Sequence, residues 1–116
     1  MPMSKCKEDS YEGDFLEYKD FTFRLTGFCF LFRREVYNKV GDPDYETFPI
    51  ANFEDDDYFK RTMDAGYLLK ATRNSKIFHI GRATNDKLPH IKQVWREHRQ
   101  AYLKKHNDQW PSFLHD

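Results

Sequence analysis

Phe53-Glu54-Asp55-Asp56-Asp57-Tyr58 sets four carboxylates in a row between two aromatic residues. Carboxylates grouped in this way can accept hydrogen bonds from substrate hydroxyls, and one of them can work as a general base. The same run also suits the first turn of a helix, where negative charge meets the partial positive charge of unpaired backbone N–H groups. Helix phase separates its members. Asp55 lies three and four residues before Tyr58 and Phe59 and so shares their face, whereas Asp57 points away from it. Asp55 is the member expected to face a cleft.

His79 is the second residue with chemical potential. It interrupts Ile77-Phe78-His79-Ile80 directly before Gly81, and a period of two puts it opposite Phe78 and Ile80. A lone strand histidine is ordinarily a satisfied core or edge residue, although strand ends followed by loops are also where binding groups sit. Asp42 and Asp44 have the spacing of a two-carboxylate metal pair, but Pro43 between them marks a turn. Arg33-Arg34 reads as a surface pair at a helix entry. The basic stretch over residues 92–105 is interleaved with His and Glu and reads as a solvated helix face.

These residues need elements to hold them. Phe21, Phe23 and Leu25 alternate with Thr22, Arg24 and Thr26, the pattern of a strand with one buried face. Residues 28–32, Phe-Cys-Phe-Leu-Phe, form a continuous apolar run expected to be a central strand, with Cys29 buried. Truncating Phe30 or Phe32 there should cost about 3–5 kcal/mol. Gly27, at the junction of the two patterns, marks a bulge or a close backbone approach. A short helix carrying Val36, Tyr37 and Val40 ends at Gly41. A loop with Pro43 and Pro49 follows, and then a helix over residues 54–65 that Gly66 terminates. Residues 67–69 and 76–80 are short strand candidates. A last helix runs from near Pro89 to His106, with Ile91, Val94, Trp95, His98 and Tyr102 on one stripe.

The order of elements is that of an α/β chain. Its 116 residues suffice for one small domain. Nineteen basic and nineteen acidic residues leave no net charge, which argues against a general nucleic-acid binder. No apolar run is long enough to span a bilayer, and the two cysteines make no disulfide framework, so a reducing, cytoplasmic setting is the default. Eleven Phe and seven Tyr argue for a folded core under the charged surface.

Gly27-x-Cys29, Phe32-Arg33-Arg34-Glu35-Val36 and Val40-Gly41-Asp42 together resemble a pattern in family 2 glycosyltransferases. Phe48-Pro49, the Glu54-Asp55-Asp56-Asp57 run with Arg61, Ala65-Gly66-Tyr67, and the segment from Ser75 through His79 to Thr84 look like its continuation. The combination is most similar to phage-encoded and bacterial members, and the acidic string is also similar to that of β-1,4-galactosyltransferases. The resemblance covers residues 27–84 and implies a GT-A fold, here a partial mixed sheet with flanking helices and a long C-terminal helix. It implies a hexosyltransferase-type reaction, transfer of a sugar from a nucleotide sugar to a hydroxyl acceptor. In that reading Asp55 is the catalytic base, Glu54 and Asp56 help to hold the acceptor, and His79 is a ligand of a divalent metal, Mn or Mg. Asp55 and His79 should then border one pocket.

The family's nucleotide-binding half precedes these motifs, and residues 1–26 are too few to replace it. The chain is therefore expected to be an acceptor-side half: a leader over residues 1–13, the glycosyltransferase-like domain over 14–106, and a tail over 107–116. Its expected partners are a glycan or other hydroxyl acceptor, a nucleotide sugar only when a donor-binding half is supplied, and a second chain or another copy of itself. No nucleic acid and no membrane span are expected. The alternative is a non-catalytic carbohydrate-binding or protein-interaction module derived from such an enzyme.

Overall fold

The computed structural model describes residues 15–18, 27, 29–50, 52–72 and 87–107. In chain order they form β1 (Phe15–Tyr18), α1 (Arg34–Val40), α2 (Glu54–Asp64), β2 (Leu69–Thr72) and α3 (Ile91–Lys105). β1 and β2 pair antiparallel, with Phe15 opposite Thr72 and Tyr18 opposite Leu69. The α/β class holds at this level. The described sheet is a two-stranded ribbon, and a mixed GT-A-like sheet is not among the described residues.

The three helices stand where periodicity and caps put them. α1 stops at Gly41, whose φ of 87° continues the chain in a conformation that side chains resist. α2 opens with four acidic residues and closes through Ala65 and Gly66, the latter at φ 92°. The Tyr67 N–H reaches back to the Thr62 carbonyl, the five-residue link of a Schellman-type end. α3 buries Val94, His98 and Tyr102, three members of the anticipated stripe. Pro89 lies in the turn before α3 rather than inside it.

The core is aromatic and small. Phe48 and Phe53 from the α1–α2 connection and Tyr102 from α3 are fully buried, with Trp95 and Ala101 packed beside them. Phe53 fits between Trp95 and Tyr102, with ring centroids at 5.4 and 5.8 Å. Asn52 and Phe53 both adopt positive φ, a conformation costing about 1–3 kcal/mol per residue that persists only when the surroundings over-determine it. Burial of the Phe53 ring supplies that constraint. This sharp reversal fixes where α2 begins and so where its acidic first turn lies.

Residues 29–32 correct the sequence reading. They are not a strand, and Cys29 is exposed rather than buried. Leu31 is 98% exposed, and Phe30 and Phe32 are a little under half exposed. The two phenylalanines stack on each other and lean on Phe59 and Tyr58 of α2. A continuous apolar run signals cover on both faces, and the described residues cover only one. The strand expected at residues 67–69 overlaps β2 only at Leu69, and β1 lies ahead of the anticipated first strand. The strands expected at 21–25 and 76–80, the 1–13 leader and all of the tail after Asn107 lie outside the described residues. No helix among the described residues is long and apolar enough to cross a membrane.

Candidate functional site

The acidic run forms the first turn of α2, and its four carboxylates have separate environments. Asp55 is half-buried. Its Oδ2 accepts the Gly27 N–H at 2.8 Å and its Oδ1 accepts the Asp56 N–H at 2.9 Å. A carboxylate offers about four lone-pair directions, so two remain for a further donor. The Gly27 contact is a close approach of the kind the sequence suggested. A Cβ placed on Gly27 would lie 2.9 Å from the Asp55 Cβ, below any normal contact. Gly27→Ala should therefore push this segment off α2 at a cost of about 1–3 kcal/mol, read from the midpoint of a urea titration. An unchanged midpoint would show that the approach is not maintained.

Glu54 is half-buried and Asp56 is buried, and neither lacks partners. Asp57 has the most constrained environment. It does leave the Asp55 face, as helix phase required, but that direction leads into the protein rather than to solvent, and its side chain is fully buried. Oδ2 accepts from Arg61 Nε at 2.9 Å, while Oδ1 meets His106 Nε2 at 2.7 Å and Lys105 Nζ at 2.9 Å. Burial pushes the Asp57 carboxyl up, but hydrogen bonds from His106 and Lys105 and the charge of Arg61 outweigh it, so the carboxyl sits below its ordinary value.

The partners of Asp57 tie the elements together. The Arg61 guanidinium also donates to the carbonyls of Val40 and Asp42, at 3.1 and 3.0 Å, and lies over the Tyr58 ring. The Tyr58 hydroxyl donates to the Gly41 carbonyl. Lys105 also reaches Asp44 Oδ2 at 2.8 Å, and bonds from Lys105 and Thr47 hold that carboxyl far below the usual range. His98 brings Nδ1 to 3.0 Å from the Asn52 carbonyl at the turn before α2. The acidic first turn is thus clamped from α1, from the connecting loop and from α3.

The described residues do not fit a divalent cation. No group of three or more His, Cys, Asp or Glu among them could hold one. Asp57 is already held by Arg61 and Lys105, whose charges would repel a metal, and both Asp55 oxygens accept backbone N–H groups. His79, the expected ligand, lies outside the described residues, and so does the pocket it was expected to share with Asp55. Glu54, Asp55 and Asp56 share the first turn of α2 with Asp57, the member whose side chain the structure ties to Arg61, Lys105 and His106. The four-residue spacing of Asp57 and Arg61 was a legible sign of that pair. Nothing local pointed to His106, 49 residues further on.

Comparison of the chain with protein-family models, curated proteins and solved structures gave no match.

Proposed function

We propose that this chain is the acceptor-side part of a glycosyltransferase of the nucleotide-sugar type. It holds a glycan or other hydroxyl acceptor beside Asp55, and transfer needs a donor-binding half outside residues 1–116. Asp55 accepts the proton of the acceptor hydroxyl as that oxygen attacks the anomeric carbon of the nucleotide sugar, whose bond to the nucleoside diphosphate breaks and releases the diphosphate as the leaving group. The donor diphosphate and any divalent cation belong, in this reading, to the donor-binding half.

The observation that carries the proposal is the placement of Asp55. It stands in the first turn of a clamped helix, held by the Gly27 N–H yet with acceptor capacity left over. A base must be fixed before it can meet an oriented substrate. The surface at residues 30–32 supports a docked half: Leu31 is almost wholly exposed, beside Phe30 and Phe32, which pack on α2 with a little under half of their surface open.

Saturation-transfer NMR with a panel of mono- and oligosaccharides tests the acceptor role on the chain itself. Binding is expected for at least one glycan. Asp55→Asn should weaken it by about tenfold to a hundredfold, the loss of a hydrogen bond to a charged acceptor. Calorimetry with uridine, guanosine and thymidine diphosphate sugars plus Mn²⁺ should show no tight complex. Absence of any glycan contact would sink the proposal, and turnover of a nucleotide sugar by the chain alone would show that no further half is needed. The hydrogen bonds already made by both Asp55 oxygens favour a second reading, a carbohydrate-binding module without transfer. In that case Asp55→Asn leaves glycan affinity unchanged.

A further inference from the structure

The zero net charge conceals a segregated distribution. Residues 42–64 hold eight acidic and two basic side chains, while residues 87–107 hold six basic and one acidic. Part of this difference is satisfied internally, where Lys105 meets Asp44 and Asp57. Exposed charges remain on both segments. Lys92 and Arg96 are exposed and four residues apart on α3, and neither forms an ion pair among the described residues.

The loop between α1 and α2 offers the opposite character. It borders a shallow groove of about 560 Å³ lined by Asp42, Asp44, Tyr45, Glu46, Arg61 and Lys105. Lys105 engages Asp44 and Arg61 engages Asp57, so those charges are spent within the protein. What remains toward solvent is Glu46, Asp42, whose Oδ1 also accepts the Tyr37 hydroxyl, and Tyr45, which is 62% exposed. An exposed aromatic residue and two carboxylates on one groove suit a lysine or arginine side chain, by cation–π attraction and charge together.

We propose that a second copy of this chain occupies the groove, with the Lys92–Arg96 face of α3 docked on Asp42, Tyr45 and Glu46 of its partner, and the same contact made in return. Charge complementarity singles out this occupant, because each copy carries both halves of the contact. Reciprocal use of the two surfaces closes the assembly as a two-fold dimer. A net charge of zero leaves no long-range repulsion between copies. The inference does not depend on the glycosyl-transfer reading.

The contacts are exposed, so the dimer is weak and salt-sensitive. Sedimentation equilibrium of the full chain, at roughly 50–500 µM and at about 20 or 300 mM NaCl, reads it directly. The weight-average mass should climb toward that of a dimer at low salt, with affinity falling about tenfold or more at the higher salt. Arg96→Glu and Glu46→Lys should each leave a monomer, and circular dichroism checks that these exposed substitutions preserve the fold. An equimolar mixture of the two variants should associate again, because in the mixed dimer both contacts regain opposite charges. A monomer under every condition would overturn the proposal, as would variants that still dimerise separately. So would association abolished by Leu31→Lys but untouched by Arg96→Glu, which would assign the interface to residues 29–32.

Discussion

Asp57→Asn is expected to lower stability by about 3–5 kcal/mol at neutral pH, the usual cost of removing one partner from a buried ionic cluster. The Asp57 carboxylate has no solvent to fall back on, and it is the shared acceptor for Arg61, Lys105 and His106. An amide keeps the shape but removes the charge, and turns an NH₂ group toward some of those same donors. Lys105 retains Asp44 and Arg61 retains two carbonyls, so His106, buried at the C-terminal cap of α3, is the partner left worst off. A small domain has roughly 5–15 kcal/mol in all, so the variant should sit near the edge of folding. Urea denaturation at pH 7 measures the difference. A loss below about 1 kcal/mol would mean that the cluster does not fasten α3 to α2.

Acid has a related effect. The folded Asp57 carboxyl lies below its ordinary value near 3.8, so the unfolded chain takes up protons first as pH falls. The stability this group contributes is present in full above that ordinary value and is lost as pH drops through the lower, folded one. Asp44 acts with the same sign through Lys105 and Thr47, but from a more exposed position that solvent screens. Wild type and Asp57→Asn should therefore converge in stability toward low pH. Parallel curves across that range would place the acid sensitivity elsewhere.

The contrast between Asp57 and Asp55 shows how much of the site could be read from residues alone. An acidic helix start after a proline-bearing loop was visible in composition and spacing, and α2 does begin at Glu54. The close approach of Gly27 was visible as a glycine at the seam of two patterns. Helix phase correctly sent Asp55 and Asp57 in different directions, yet it cannot say what lies in either direction. That depends on the end of α3 arriving from more than 40 residues away, with Lys105 in its last turn and His106 at its cap, a tertiary fact with no local signature. The apolar run at 29–32 failed for the opposite reason. Its pattern describes a fully covered strand, but cover is a property of the surroundings, and the described residues supply it on one side only.

Tyr102→Ala should cost about 3–5 kcal/mol, whereas Phe30→Ala should cost only about 1 kcal/mol, reversing the ranking that the apolar run suggests. Tyr102 is wholly buried, with the Phe53 ring on one side and the His106 ring at 4.6 Å on another. Its removal leaves a void between α3 and the loop that starts α2, and the backbone reversal at Asn52 and Phe53 limits how far the loop can collapse into it. The Phe30 ring is 45% exposed and touches Phe32 and Phe59, so truncation opens no cavity and gives up only part of its contact area. Tyr102 also braces the imidazole that binds Asp57, so the two positions share a partner. The double variant Tyr102→Ala/Asp57→Asn should lose less than the sum of the single losses, by about 1 kcal/mol or more. Combining Phe30→Ala with Asp57→Asn should instead be additive within about 0.5 kcal/mol. Urea midpoints for the single and double variants decide between these outcomes. Strict additivity at Tyr102 and Asp57 would mean that the aromatic core and the charged cluster hold α3 independently.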